Sequence, residues 1–313
     1  MKIDIVMPVY NEEESIGNVL NSLSKIGLEE YTVIIVDDGS TDKTKEISKT
    51  FNNTLIHSNK QNRGHGYSVK KGIEIAVRRK SDIIITMDGD GQHNAKDINQ
   101  LILPIFEKEA DVVIGTRFLN KENLNDMKFL NRTGNRFFTS LTNFLSGQKF
   151  TDTQCGFRAL SRDSALNLDL MNDFNLTQEI IIDLSFKGLI IKEIPIRVNV
   201  REHGSSKIVK SPWSYGFRAL NITFGTFIDH YPMRFFGFLG FIPLILGFIS
   251  GVIMLLSHID NRDAAYLFWV DFEYTIVLLL IGFFMLTVAL LAKINSRNKK
   301  LLEEILYNLR KGN

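Results

Sequence analysis

Cysteine is almost absent from this chain, since Cys155 is the only one among its 313 residues. One thiol cannot form an internal disulfide, so the composition suits a reducing compartment. An excess of charge of one sign is missing as well, because 37 Lys and Arg stand against 35 Asp and Glu. Beyond scattered Lys and Arg residues the sequence has no signature of nucleic-acid binding, and we therefore exclude a nucleic-acid partner.

Other common signals are also missing. The opening MKIDIVMPVY runs directly into an expected strand, so we expect no signal peptide. The GHG at 64–66 is too short for the G-x-G-x-x-G fingerprint of dinucleotide binding. His65 in that tripeptide and His93 receive no role, because a single histidine beside glycines is ordinarily a loop residue. Cys155 has no histidine nearby in sequence and is expected to be a packed small side chain.

Two long apolar runs lie near the C-terminus, at 235–257 and 275–292, and neither contains a charged residue. At about 1.5 Å per residue, each run is roughly long enough to cross a hydrocarbon layer of about 30 Å, the second with help from Phe272 and Tyr274. A buried helix of a soluble protein is the alternative, but two such runs side by side favour membrane spans at about 235–257 and 272–292.

The charges around these runs predict their orientation. The linking segment carries Arg262 among four acidic residues, whereas the outer flanks are basic. The basic flanking residues are Arg218, Arg234, Lys293, Arg297, Lys299, Lys300, Arg310 and Lys311. This asymmetry places both termini in the cytoplasm, including the domain 1–210 and the basic tail 295–313. The aromatic, weakly basic stretch 211–233 is predicted to lie along the bilayer surface.

Residues 1–210 alternate short β-branched runs with amphipathic helical stretches. The clearest strands are predicted at 3–9, 32–38, 82–88 and 111–116, and helices at 11–26, 41–51, 66–79 and 95–109. This alternation predicts an α/β domain of Rossmann-like type, with a mostly parallel sheet covered by helices.

Polar clusters follow three of the predicted strands: PVYNEEES, DDGSTD and DGDGQH. In such a sheet the ligand site lies beyond the carboxyl ends of the strands. A single polar strand end is often only a turn or a helix cap, and Ser40, Thr41 and Asp42 fit that description. Three converging clusters favour a ligand site.

Asp88 and Asp90 are separated by Gly89, which is expected to permit a tight turn. Carboxylates at this spacing can share one divalent cation, Mg²⁺ or Mn²⁺, which commonly bridges diphosphate oxygens. A general acid and base pair is the rival interpretation, but glycoside hydrolysis needs carboxyl groups about 5 Å or more apart, on either side of a sugar. A D-x-D tripeptide by itself also occurs by chance in solvated loops.

The ordered set VMPVYNEEESI, VIIVDDGSTDKT, ITMDGDGQH, VIGTRF and TDTQCGFRAL resembles the inverting family 2 glycosyltransferases of the GT-A fold. With the following REHGSSK and the two apolar runs, the chain is most similar to the polyprenyl-phosphate (dolichyl-phosphate) glycosyltransferases. That resemblance implies transfer of a sugar from a nucleotide diphosphate to a lipid phosphate in the membrane. The resemblance covers residues 1–210 well. For the two apolar runs it extends only to their general type, a pair of C-terminal membrane spans.

The resemblance also implies roles for individual residues. For the donor it implies a nucleoside pocket of Pro8, Val9, Tyr10, Glu12 and Asp38, a metal and diphosphate site of Asp88, Asp90 and Gln92, and a mobile lid carrying Arg201 and Lys207. For the acceptor it implies that Arg117, Arg132 and Arg136 bind the lipid phosphate and that Asp152 is a base or an acceptor-orienting acid. The alternatives are solvated cations for the basic residues and a helix-capping turn for Asp152.

The expected nucleophile is an oxygen of the lipid phosphate. A phosphate monoester has its second pKa near about 6, so it is mostly dianionic at neutral pH and needs no strong general base. Catalysis would then depend on holding two anions together, which explains a metal and several cationic side chains in one site.

The donor and the class of product stay open at the level of sequence. DTQCGF is more similar to the branch that uses UDP-glucose or a related UDP-sugar than to the branch that uses GDP-mannose. A processive polysaccharide synthase is the second enzymatic hypothesis, but its Q-x-x-R-W sequence and additional spans are missing. A membrane-tethered nucleotide-sugar-binding protein without turnover is the third. Homo-oligomer formation and the length of the acceptor chain are left open.

Overall fold

The computed structural model describes residues 1–26, 31–119, 129–168, 176–199, 212–260 and 265–312. The chain divides into two compact units. The first comprises Met1–Phe224 with Leu306–Asn313, and the second comprises Gly225–Ile305.

A sheet of seven strands forms the centre of the first unit, among the residues described. The strands are β1 (Ile3–Val9), β2 (Tyr31–Asp37), β3 (Thr54–Ser58), β4 (Ile83–Thr86), β5 (Val112–Thr116), β6 (Arg158–Ser161) and β7 (Ile191–Pro195). Their order is β3-β2-β1-β4-β6-β5-β7. Strand β6 is antiparallel to both neighbours, and the other pairs are parallel.

Helices cover both faces of this sheet. They are α1 (Ile16–Leu23), α2 (Thr44–Lys49), α3 (His65–Arg78), α4 (Ile98–Phe106), α5 (Phe129–Ser146), α6 (Arg162–Leu166) and α7 (Leu176–Phe186), with a 3-10 turn at Ala95–Asp97. Three further helices follow: α8 (Pro212–His230), α9 (Pro232–Asp260) and α10 (Ala265–Gly312).

Two buried apolar clusters lie against the sheet, which explains the β-branched runs in its central strands. In one cluster, Ile5 and Ile85 of the sheet belong with Leu20 of α1 and Leu101 of α4. In the other, Val6 and Ile84 belong with Ile73 of α3 and Ile181 of α7. Neighbouring residues along β1 and β4 thus enter opposite clusters, as expected of strands buried on both faces.

The predicted α/β class is confirmed, and all four predicted strands are present within two residues of their expected ends. The predicted helices are present. Three are shorter than predicted, since α1 begins only at Ile16, α2 only at Thr44 and α4 only at Ile98, whereas α3 has the predicted length and is shifted by one residue. Strands β3, β6 and β7 were not among the predicted elements. Their sequences, TLIHS, RALS and IKEIP, contain at most two consecutive apolar residues, whereas the predicted strands contain runs of three or four.

The second unit contains helices α9 and α10, and both are long and apolar enough to cross a membrane over Pro232–Leu256 and Phe272–Gly312. Their large apolar side chains are outside any core: Phe238, Phe248 and Phe283 are 69%, 70% and 69% exposed. A Cβ on Gly282 would approach Leu244 Cγ to 2.5 Å, so the two helices pack closely there. The predicted pair of apolar helices is therefore confirmed.

Two predicted segments extend differently from expectation. The second predicted span and the basic tail belong to one continuous helix, α10, which runs to Gly312. Within the predicted surface stretch 211–233, Pro212–His230 form α8, and α9 begins at Pro232. The position of this stretch at a bilayer stays a prediction.

Asp4, within β1, is a fully buried carboxylate at the amino end of the sheet. Arg79 Nε donates to it over 2.8 Å and Ser81 Oγ over 2.6 Å. Arg79 Nη2 also donates to Thr32 Oγ1 over 2.8 Å. Because a buried charge is costly when it has no partner, this cluster is expected to matter for stability.

Replacing Arg79 with Met should leave the Asp4 carboxylate without its cation and lower the free energy of unfolding by about 2–4 kcal/mol. Chemical denaturation of the detergent-solubilised protein measures this change. The matched control is Lys71→Met, which removes the more exposed Lys71–Glu74 pair of α3, and should change stability by no more than about 0.5 kcal/mol. Equal effects of the two substitutions would contradict the role assigned to Arg79.

Candidate active site

The ends of β1 and β2 lie side by side and their following loops interlock. Asp38 N donates to Val9 O over 2.8 Å, directly beyond the strands. Asn11 N donates to Ser40 Oγ over 3.0 Å, and Glu12 N donates to Thr44 Oγ1 over 2.7 Å. The DDGSTD cluster therefore organises the loops, as the turn interpretation predicted.

The residues predicted for the nucleoside pocket are all near these two strand ends. Pro8 and Val9 are the last residues of β1 and are buried, whereas Tyr10 and Glu12 follow it and are half-buried. Asp38 follows β2 and is buried. The structure thus brings these five predicted residues to one edge of the sheet.

Asp38 also has a structural role that the sequence did not reveal. Its Oδ1 accepts hydrogen bonds from Asn59 Nδ2 at 2.7 Å and Arg63 N at 2.9 Å. Its Oδ2 accepts from Gly64 N at 2.7 Å. These bonds fix the loop that leads into α3, so Asp38 shapes the pocket through its neighbours.

The DGDGQH loop follows β4, and its two glycines serve different purposes. A Cβ on Gly89 would lie 2.7 Å from Val9 Cγ1, so a side chain there would collide with β1. The positive φ of 78° is at Gly91, and Gly89 has none. Gly89 lies in a turn, as expected, but the feature that requires glycine there is its close packing on β1.

Asp88 contacts both histidines that received no role from the sequence. His65 Nε2 lies 2.9 Å from Asp88 Oδ1, and His93 Nε2 lies 3.7 Å from Asp88 Oδ2. The Asp88 side chain is 31% exposed, which leaves it accessible to a ligand. The expectation that His65 is a loop residue is wrong, because it is the first residue of α3.

These contacts change the proton affinities of the pair. Burial alone would raise the pKa of the Asp88 carboxyl, but the charges of His65 and His93 and their hydrogen bonds hold that pKa well below its usual value. Burial alone would lower the pKa of His65, and the Asp88 carboxylate raises it above the ordinary value. Asp88 is therefore held in its ionised form.

The segment after β7 runs beside the DGDGQH loop. Asn199 N donates to Gln92 O over 2.8 Å, and His93 forms an isolated bridge with Val198. Arg201 and Lys207, the predicted lid residues, lie outside the described part of the chain, so their role stays a prediction.

The donor atoms of this loop fit a hard divalent cation. Asp88, Asp90 and Gln92 offer carboxylate and amide oxygens, the ligands that Mg²⁺ and Mn²⁺ take. Among the described residues, no three His, Cys, Asp or Glu side chains are grouped to hold an ion. The protein would thus supply few ligands, as is usual for Mg²⁺ bound with substrate phosphates.

Arg117 and Asp152 form a buried ion pair at the end of β5. Arg117 Nε donates to Asp152 Oδ2 over 2.7 Å, and Nη2 donates to Oδ1 over 3.0 Å. Asp152 is fully buried, whereas the Arg117 side chain is 23% exposed. Burial alone would raise the pKa of Asp152, but Arg117 holds it below its usual value. Of the two roles predicted for Asp152, this pairing suits an orienting acid better than a base. It also occupies the Nε and Nη2 atoms of Arg117.

Helix α5 carries the other two predicted phosphate ligands and is bonded to the same ion pair. Asn135 Nδ2 donates to Asp152 Oδ1 over 3.0 Å. Arg132, one turn before Arg136, has a buried Nε without a hydrogen-bond partner among the described residues. Arg136 is exposed. An unsatisfied guanidinium nitrogen of this kind suits an anionic ligand.

Arg158, the first residue of β6, is a buried cation that sequence analysis missed. Its Nε donates to Cys155 O over 2.8 Å and its Nη2 to Thr153 O over 3.2 Å. Burial lowers its pKa to about 10, so it remains charged at neutral pH. An arginine in a four-residue strand gives no sequence signal of burial.

Cys155 is buried, as expected from its sequence context. Burial raises the pKa of the thiol to about 12, which leaves it un-ionised and unreactive at neutral pH.

The sequence profile of the family described as "Glycosyl transferase family 2" matches residues 4–168. A UDP-N-acetylglucosamine–dolichyl-phosphate N-acetylglucosaminyltransferase of Methanococcus voltae is 31% identical over 248 residues, covering 72% of this chain and 98% of the relative. A dolichyl-phosphate hexose transferase of Haloferax volcanii is 31% identical over 204 residues, covering 65% and 85%.

A solved structure shares the fold. Glucosyl-3-phosphoglycerate synthase from Mycobacterium tuberculosis, in complex with Mn²⁺, UDP-glucose and phosphoglyceric acid, has a TM-score of 0.55 and 20% identity. The similarity covers 73% of this chain and 79% of that chain. At this identity the comparison establishes the architecture of the first unit, which is the GT-A fold.

Proposed function

The chain belongs to glycosyl transferase family 2, and from this membership we propose that it transfers a monosaccharide from a nucleotide diphosphate sugar to a polyprenyl or dolichyl phosphate. The observation that carries the proposal is the presence, in one chain, of the acidic DGDGQH loop at the sheet edge and of two apolar helices suited to a bilayer. The first feature fits a diphosphate with its cation, and the second fits a lipid substrate.

The relatives support the same acceptor and leave the donor less defined. Two of them are named for dolichyl phosphate, one with UDP-N-acetylglucosamine and one with a hexose. We favour UDP-glucose or a related UDP-sugar for this chain, since DTQCGF is similar to that branch. GDP-mannose is the alternative donor.

On the donor side, the nucleoside would lie against the ends of β1 and β2, where Asp38 holds the loop before α3. Asp88, Asp90 and Gln92 would hold Mg²⁺ or Mn²⁺ against the diphosphate. When bound, the cation would stabilise the negative charge that develops on the leaving nucleotide. His65 and His93 keep Asp88 ionised for this purpose.

On the acceptor side, Arg117, Arg132 and Arg136 would bind the lipid phosphate. Asp152 holds the guanidinium of Arg117 from behind and would orient it toward the acceptor. The phosphate oxygen attacks the sugar carbon opposite the leaving diphosphate, which gives inversion. The dianionic acceptor needs no strong base, in agreement with a paired Asp152.

Two other functions are less well supported. A processive polysaccharide synthase would need further spans, and the described residues include two apolar helices of sufficient length. A nucleotide-sugar-binding protein without turnover would have no use for the Arg117–Asp152 pair beside the acidic loop.

We further propose that the catalytic domain and both termini are cytoplasmic, with 258–271 on the other side of the membrane. The Lys and Arg residues outside the two apolar runs support this orientation. The helix α8 would lie near the bilayer surface and set the height of the site.

The function is tested by incubating membranes that contain the protein with polyprenyl phosphate and a panel of nucleotide sugars, followed by mass spectrometry of the lipids. We expect one lipid-phosphate-linked monosaccharide, formed best from a UDP-sugar. Membranes without the protein are the control. A polymer, or donor binding with no lipid product, would favour one of the other two functions.

Replacing Asp90 with Asn should reduce turnover at least a hundredfold, because the neutral amide weakens cation binding at the diphosphate. EDTA should have the same effect on the unchanged protein, and added Mn²⁺ should reverse it. Asp82→Asn, at the opposite end of β4, is the matched control and should retain activity, since its exposed carboxylate accepts from Lys2 N. Full activity of the Asp90 variant in excess EDTA would exclude the proposed cation role.

Replacing Asn261 with Cys tests the orientation in a Cys155→Ser background. Cys155 itself is buried, so its removal serves only to eliminate background labelling. We expect an impermeant maleimide to label position 261 only when the non-cytoplasmic side is accessible, because the basic flanks remain inside. Labelling from the cytoplasmic side alone would reject the proposed hairpin orientation.

A further inference from the structure

Glu193 lies on β7 opposite Ile114 of β5 and has no role in the site described so far. Its carboxylate accepts hydrogen bonds from two consecutive backbone amides. Thr151 N donates to Oε1 at 2.9 Å and to Oε2 at 2.8 Å, and Asp152 N donates to Oε1 at 2.9 Å. The hydroxyl of Thr151 donates to Oε2 at 3.1 Å. One side chain thus holds both residues across more than 40 positions of sequence.

These bonds determine where the Asp152 carboxylate points. Glu193 binds the backbone amide of Asp152, and the side chain of Asp152 binds Arg117. Asp152 Oδ2 accepts from both Arg117 Nε and Arg117 N. Glu193 therefore contacts the residue that holds Arg117, and the link passes through two successive sets of charge-assisted hydrogen bonds.

A second connection joins the same loop to β5. The hydroxyls of Thr151 and Thr116 lie 2.7 Å apart, and Phe118 N donates to Thr116 Oγ1 over 3.3 Å. Thr116 and Phe118 flank Arg117. The backbone on both sides of the arginine is consequently tied to the loop that Glu193 holds.

Glu193 is held by amide and hydroxyl donors. Burial raises the pKa of its carboxyl, the hydrogen bonds from Asp152 and Thr151 oppose that rise, and the nearby Asp152 charge adds to it. Among the residues described, no Lys, Arg or His forms an ion pair with Glu193. Its two side-chain oxygens accept from Thr151 and Asp152 alone among the hydrogen bonds of the described residues.

We propose that Glu193 is a positioning residue for the acceptor phosphate, which acts by holding the Thr151 and Asp152 amides so that Asp152 keeps the Arg117 guanidinium in its binding orientation. This inference rests on the proposed function only in naming the acceptor. The link from Glu193 to Arg117 is a property of the ligand-free protein.

Glu193→Met tests the proposal in the full-length protein, because its side chain of similar length has no oxygen to accept from the amides of Thr151 and Asp152. We expect KM for polyprenyl phosphate to rise at least fivefold, while the dissociation constant for the nucleotide sugar changes less than twofold. The matched control is Glu109→Met. Glu109 pairs with Lys192, the neighbour of Glu193, at the surface, and its loss should leave both constants unchanged.

Two outcomes would overturn the proposal. An unchanged KM for the lipid would show that the site does not depend on Glu193, and an equal weakening of donor and acceptor would show a general structural role. The Glu193→Gln variant keeps one carbonyl oxygen that can accept from both amides, and it should raise KM less than Met does. It also provides the measurement if the Met variant fails to fold.

A cycle of single and double variants with Arg117→Lys gives a readout that needs no acceptor. If Glu193 acts through Asp152 on Arg117, the two substitutions should destabilise the ligand-free protein less together than the sum of their separate effects. Additive effects would overturn the inference even if the wild-type protein uses polyprenyl phosphate. Absence of lipid transfer by the wild-type protein, with the coupling retained, would reject the proposed function and leave the positioning role of Glu193 supported.

Discussion

The buried ion pair between Arg117 and Asp152 connects the parts of this site. Asp152 is fully buried, and an isolated carboxylate there would be strongly unfavourable, so its position requires the guanidinium and several further donors. Those donors come from separate segments: Arg117 at the end of β5 and Asn135 on α5. Satisfying one carboxylate thus fixes the relative positions of a strand end and a helix that carries two more arginines.

The DGDGQH loop depends on a carboxylate that stays ionised. Asp88 remains ionised because His65 and His93 offset the cost of its burial. Arg158, buried in β6, adds a positive charge, because burial lowers its pKa only to about 10. In the ligand-free protein the acidic loop is thus held by contacts of Asp88 with two histidines.

Periodicity of the sequence predicted the parallel strands, and the polar clusters after them predicted the edge at which the site lies. The motif resemblance identified Arg117 and Asp152 as site residues. Neither their spacing nor their chemistry indicated that they contact each other. His65 and Arg158 were not identified. The role of His65 arises from its contact with Asp88, 23 positions away, and the burial of Arg158 arises from tertiary packing that a four-residue strand does not indicate. The turn at Gly89 was predicted correctly, but the collision with Val9 that requires glycine was not, since it depends on tertiary packing that local turn chemistry does not report.

The antiparallel strand β6 explains how the Arg117–Asp152 pair and the DGDGQH loop come close to each other. It lies between β4 and β5, and the segment leading into it connects the Arg117–Asp152 pair with the DGDGQH loop. Asp152 at its beginning binds Arg117, whereas near its end Gly156 O accepts from Thr86 Oγ1 at 2.6 Å and Phe157 stacks on His93 with ring centroids 4.9 Å apart. A displacement of this segment would therefore move the Arg117–Asp152 pair and the contacts of the DGDGQH loop together. One short connection therefore sets the geometry in which two anions can be held for reaction.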